Sequence, residues 1–187
     1  MEQEADAELP HTRRELLQAS IDLTRHTLSY VKSMALRCAV QLGVADAIHG
    51  AGGDVSLDGL AAALSLAPSK LPCLCRVMRV LTASGVFAQA DGGGYRFTPV
   101  STLLLSDGGG GGGCRSLQQL VRIQLSPFCV SPVTNLAEWF ARDDETPFAM
   151  IFGAGHWDFC GRDPGFSAFF NGAMACDSRF VMDAVIH

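Results

Sequence analysis

Histidines, cysteines and one short carboxylate run are the side chains of this sequence that could do chemistry. The histidines stand at positions 11, 26, 49, 156 and 187. None falls in the H-x-x-x-H or H-E-x-x-H spacing that puts two imidazoles on one helix face for zinc. His156, next to Trp157 in a glycine-flanked connector, has the most suggestive setting, and its default role is that of an ordinary loop histidine. The cysteines (38, 73, 75, 114, 129, 160, 176) are odd in number and contain no C-x-x-C pair. Their expected state is buried, reduced thiol rather than zinc ligand or disulfide. Asp143, Asp144 and Glu145 are consecutive, so they face different directions and read as a solvated turn, not an acid–base pair. After Asp107 come six glycines, 108–113. A phosphate-cradling loop would need a buried strand before it and a lysine or a spaced glycine pattern within it. This run follows a leucine-rich helical segment instead and reads as a linker. No G-x-S-x-G or P-loop pattern occurs. The residues on offer name no catalytic group and no metal site.

The elements that would position such residues are mostly helices. Thr12-Arg13-Arg14-Glu15 is a capping-box pattern, and no proline or glycine interrupts the chain from there to about Gln41. The apolar positions of that stretch cover more than one face, so one side is expected to meet a partner chain. Gly43 is placed to end the helix, and Val44 to His49 adds a short further turn. Ser56 caps a helix carrying Leu57, Leu60 and Leu64; Ser69 caps a second with Pro72 in its first turn and Leu71, Leu74, Cys75, Met78 and Leu81 as its stripe. Ser84-Gly85 stops it. Val86-Phe87-Ala88 and Tyr95-Arg96-Phe97 flank Asp91-Gly92-Gly93-Gly94, which is hairpin chemistry. Helix, turn, helix and hairpin together predict a winged helix. Beyond it, Pro99 to Leu105 and Arg115 to Leu125 are helical, and Ser131-Pro132 restarts a helix through Trp139 and Phe140. Phe148 to Gly155 reads as an apolar connector, and Asp163-Pro164 opens a last helix. That helix carries Phe166, Phe170, Met174 and Val181 on one side and Phe169, Ala173, Cys176 and Phe180 on the other.

The expected organisation is a mainly α chain: a disordered tail (1–11), a winged-helix dimerisation domain (12–105), a glycine-rich loop (106–114) and a helical extension (115–187). Hydrophobic residues make up 48% of the 187, with a mean hydropathy of +0.21. The formal net charge is −5 and the pI about 5.4, the wrong sign for a nucleic-acid or anionic-membrane partner. Between residues 55 and 98, Lys70, Arg76, Arg79 and Arg96 face only Asp58 and Asp91. That surplus is too small for a DNA reader, whose affinity comes largely from phosphate neutralisation. No signal peptide is read in MEQEADAELP, and no run of apolar residues is long enough to span a bilayer, so a cytoplasmic setting is expected.

Five blocks of sequence resemble the N-terminal half of plant small-molecule O-methyltransferases: RHTLSYVKSMALRCAVQLGVADAIH (25–49), LAAALSLAPSKLPCLCRVMRVLTASGVF (60–87), YRFTPVSTLL (95–104), LAEWF (136–140) and RDPGFSAFFNGAMACDSRFVMDAV (162–185). These enzymes methylate phenolic hydroxyls with S-adenosylmethionine. The resemblance implies an intertwined homodimer built by the winged-helix region, with the donor and the catalytic histidine on a following Rossmann-like domain. It implies acceptor-binding roles for Trp157, Phe166, Phe170 and Met174 and a cofactor-proximal place for Ser178. Gly172 departs from the larger polar residue usual in the family, and Gly161 and Gly165 depart from its commoner non-glycine residues. The sequence stops in mid-pattern at Val185-Ile186-His187. The expectation is therefore a truncated enzyme, inactive alone and binding no S-adenosylmethionine by itself, that pairs with itself or with a full-length homologue. The competing reading is a winged-helix binding or regulatory module, for DNA or for a methyltransferase subunit.

Overall fold

A computed structural model describes residues 11–106 and 116–186. The expected tail apart from His11, the glycine run, Cys114 and His187 lie outside the described residues. The first element, α1 (Arg13–Leu42), is a helix of 30 residues, about 45 Å long at 1.5 Å per residue. It starts at the expected capping box, with the Glu15 N–H donating to Thr12 Oγ1 and the Thr12 N–H donating to Glu15 Oε2 at 2.7 Å. Gly43 ends it in the left-handed region at φ +73°, where a glycine is the residue that fits without strain.

The chain then folds back through α2 (Val44–Gly50), β1 (Asp54–Val55) and α3 (Leu57–Ala63). Ser56 caps α3 by accepting from the Gly59 N–H at 3.1 Å. A 3-10 turn at Pro68–Lys70 leads into α4 (Leu71–Ala83). Lys70, not Ser69, is the residue before α4, and no side chain caps its start, because the turn already supplies one rotation of helix. Two strands follow, β2 (Phe87–Gln89) and β3 (Tyr95–Phe97). The sheet is antiparallel throughout in the order β1-β3-β2, with Asp54 opposite Arg96 and Phe87 opposite Phe97. Thr98 closes the hairpin, its hydroxyl donating to the Val86 carbonyl oxygen at 2.6 Å. It also caps α5 (Pro99–Thr102), which is shorter than the seven residues expected.

Around this sheet lies the first core, with Val44, Ile48, Leu60, Met78, Leu81 and Phe87 wholly buried. Only the last third of α1 contributes, through Ala35, Ala39 and Val40. The chain flanking the glycine-rich segment is fixed on both sides. Ser106 donates from its N–H and hydroxyl to Asp46 Oδ1, each at 2.9 Å, and the Leu117 N–H donates to the Leu103 carbonyl at 2.7 Å.

A second, aromatic core is built by α6 (Gln118–Gln124), α7 (Pro127–Thr134), α9 (Pro147–Phe152), α10 (His156–Arg162) and α11 (Pro164–Ile186), with α8 (Leu136–Phe140) outside it. Several of these helices differ from those expected. The helix expected to restart at Ser131-Pro132 begins at Pro127 and runs through Pro132. The expected connector from Phe148 to Gly155 contains α9, capped by Thr146 and ended by Gly153 at φ +71°, and α10 follows directly. Cysteine burial also differs: Cys176 is buried, whereas Cys73, Cys75 and Cys129 are exposed.

Candidate functional site

The last helix positions the site. Asp163 caps α11 by accepting from the Phe166 N–H at 2.9 Å. The cap fixes the rotation of the helix. Ala173 and Cys176 then pack inward, with Cys176 donating its thiol proton to the Ser116 carbonyl. At Gly172 a Cβ would meet only the mobile end of a side chain on α6, Gln119 Oε1 at 2.8 Å.

Phe166 points into the aromatic core. Its ring centroid lies 4.4 Å from Phe128, 5.1 Å from Phe159 and 5.5 Å from His156. Beside it opens a cavity of about 330 Å³, lined by Ile123, Phe128, Cys129, Pro132, Phe148 and His156 among others, with Phe166 and Phe170 from α11. The space is of ligand size, and most of its wall is apolar. Its polar groups are few. The Thr146 hydroxyl already accepts from the Ala149 N–H. The His156 imidazole lies edge-on to Phe148 and Phe170, with its Nε2 3.7 Å from Cys160 Sγ. Burial raises the Cys129 thiol above its ordinary value, offset in part by a hydrogen bond with Ser126. Such a wall suits a flat aromatic molecule held by ring edges and faces. Among the described residues no group of three His, Cys, Asp or Glu side chains could hold a metal ion.

The structure brings together part of the expected site. Phe166 and Phe170 line the cavity, and Trp157 stands at its rim, 75% exposed, edge-on to Phe170 at 6.1 Å. Met174 and Ser178 continue the same i, i+4 row along α11 but lie exposed, beyond the cavity lining. Phe128, Pro132 and Phe148 were not anticipated. A signal for Phe148 existed: Thr146-Pro147 is an N-cap followed by an N1 proline, with Phe148 and Phe152 at i, i+4 behind it. The acidic turn is stapled rather than merely solvated. Asp144 Oδ2 accepts from Arg142 Nε at 2.6 Å, and its carbonyl accepts from Trp139 Nε1 at 2.8 Å.

A mainly helical chain with a small antiparallel sheet and an aromatic-walled cavity is the architecture these residues define. Residues 24–107 match the O-methyltransferase dimerisation domain. The chain is 42% identical over 178 residues to acetylserotonin O-methyltransferase 1 of Oryza sativa subsp. japonica, covering 92% of this chain and 48% of that protein. It is 38% identical over 193 residues to 5-pentadecatrienyl resorcinol O-methyltransferase of Sorghum bicolor, covering 92% and 51%. Among solved structures, CalO1, a methyltransferase in calicheamicin biosynthesis in its SAH-bound form, superposes with a TM-score of 0.68 at 25% identity, covering 90% of this chain and 46% of that one. The chain therefore carries an O-methyltransferase dimerisation domain and is a relative of the plant O-methyltransferases. It spans about half the length of the curated relatives it matches.

Proposed function

We propose that this chain is the subunit-pairing half of an O-methyltransferase, and that it self-associates through the bare length of α1. In the whole enzyme the reaction would be methyl transfer from S-adenosylmethionine to a phenolic hydroxyl. One observation carries the reading. Leu16, Leu17, Ile21, Leu23, Leu28, Tyr30 and Val31 are all exposed on a helix that buries residues in its own chain only from Ala35 onward. Each side chain gains up to about 1.5–3 kcal/mol on full burial. Because each is only partly exposed, the seven together gain a part of that maximum, of the same order as an association cost of roughly 4–15 kcal/mol. The same face would accept α1 of a full-length homologue. We read α3, α4 and the β2–β3 hairpin as a winged helix serving as a packing platform within the domain at 12–105, with 115–187 as the extension that carries the cavity.

On this reading Phe166, Phe170 and Trp157 form one wall of the acceptor pocket. Met174 and Ser178 are the exposed continuation of that wall, against which donor-bearing residues would pack. The described residues do not fit the donor itself. Their sheet is three short antiparallel strands, and a nucleotide-like donor is held where a parallel strand opens on a glycine turn. No methylation step is therefore assigned to side chains of this chain. No described helix is long and apolar enough to cross a membrane.

Light scattering on the purified chain tests the pairing. The expected result is a dimer that the double substitution L17E/L23E converts to monomer with its helical circular dichroism retained. A wild-type monomer at micromolar concentration would overturn it.

A further inference from the structure

A second, smaller cavity of about 150 Å³ lies where α1, α6 and α11 meet. Its walls are Arg37, Val40 and Gln41 from α1, Val121 and Arg122 from α6, Phe169 from α11, and Ser126. Val40 and Val121 belong to the first core and Phe169 to the aromatic one, so the cavity sits on the seam between them. Its charge is unusual for this protein. Two arginines are among the residues that line one small space on a chain of net charge −5. No carboxylate lines that space. Neither arginine has an acidic residue three or four positions away on its helix, and neither makes an ion pair or hydrogen bond among the described residues.

We propose that this cavity is a binding site for a small oxyanion, a phosphate or a carboxylate, that bridges Arg37 and Arg122. An oxyanion taken up between two arginines makes an attractive contact with each. Guanidinium donors match oxyanion geometry in a fork and form the stronger, charge-assisted class of hydrogen bond. The Gln41 amide adds a neutral donor. The size sets the ligand class, since 150 Å³ admits a tetrahedral anion or a carboxyl group but falls short of the roughly 300 Å³ that a drug-sized molecule fills. Phe169 leaves one wall apolar, which suits a carboxylate carried on a short hydrocarbon stem. Because the walls come from both cores, the bound anion clamps the helical extension onto the last third of α1. The site is separate from the aromatic cavity and does not depend on the role proposed for it.

The experiment is thermal unfolding of the full chain in inorganic phosphate, against sodium chloride at equal ionic strength. Phosphate at ten times its dissociation constant is expected to raise Tm by about 3 °C. R37Q/R122Q should abolish the rise. R122Q alone, at an exposed position, should weaken it at least tenfold in phosphate concentration while the circular dichroism is unchanged. Amide exchange should slow around residues 37–41 and 119–126 with phosphate present. A rise matched by chloride, or one retained in the double variant, overturns the proposal. So does the finding that phosphate has no effect while R37Q/R122Q halves the molar mass, because the cavity would then hold a carboxylate of a second copy instead of a free anion.

Discussion

Phe128 of α7 and Phe166 of α11 lie with ring centroids 4.4 Å apart, and through this contact the last helix is tied to the wall of the aromatic cavity. Phe166 is 4% exposed. Its ring also meets Phe148, Phe159 and His156, so its removal leaves several partners facing empty space. F166A is expected to lower stability by about 3–5 kcal/mol, as for other buried phenylalanines. F140A, at a position 79% exposed, should fall within about 0.5 kcal/mol of wild type. Urea unfolding at one fixed protein concentration makes the comparison, since self-association shifts apparent stability by mass action.

The hairpin turn supplies a sharper contrast. A Cβ at Gly94 would run into the Asp54 carboxylate and sit 3.2 Å from the Val55 carbonyl oxygen, both on β1. At Gly92 it would meet nothing within 4 Å. G94A is thus expected to push β1 away from β3 and cost about 1–3 kcal/mol, with G92A nearly neutral. Paired melting curves decide it. Equal Tm values for the two variants would mean that β1 does not need the close approach.

What could be read from sequence was what is local. The capping box at Thr12 and Glu15, the Ser56 cap, the glycine stops at Gly43 and Gly85 and the hairpin around Asp91-Gly94 are each decided by a few neighbouring residues, and the structure shows all of them. β1 escaped notice because two residues have no periodicity and their partners, Tyr95 and Arg96, lie some forty positions on. Helices α9 and α10 were hidden by Gly153 and Gly155, which made two capped helices look like one loose connector. The aromatic cavity could be anticipated only in part. Phe166 and Phe170 stood out as a helical row, whereas the opposite wall is gathered from α6, α7, α9 and α10 and follows from packing alone.

The start of α1 should respond to acid. Glu15 accepts from the Thr12 N–H at 2.7 Å and from the Thr12 hydroxyl at 2.9 Å. These bonds, the backbone one most of all, hold its carboxyl below the ordinary value of 4.5. A carboxyl lowered by folding stabilises the folded turn above its ordinary value and gives that up as pH falls through the lower, folded value. The first turn of α1 is therefore expected to be intact at neutral pH and to fray at pH below 4.5. Amide chemical shifts of Glu15 and Leu16 followed by NMR should titrate in that range in wild type and stay flat in E15Q. Absence of titration in wild type would show that the capping box does not hold in solution.

Cys129 reports on the aromatic cavity from inside its lining. Burial raises its thiol above the ordinary value, so at a given pH less of it is the nucleophilic thiolate. Alkylation by iodoacetamide should accordingly be slower at Cys129 than at a free thiol such as N-acetylcysteine, with the gap closing as pH rises. A phenol that occupies the cavity should slow Cys129 further and leave Cys73 unchanged. Peptide mass spectrometry of partly alkylated protein gives both rates in one sample. If Cys129 reacts as fast as the free thiol at every pH, its thiol is not held above the ordinary value. If a saturating phenol slows neither cysteine, the cavity does not take aromatic ligands in this chain by itself.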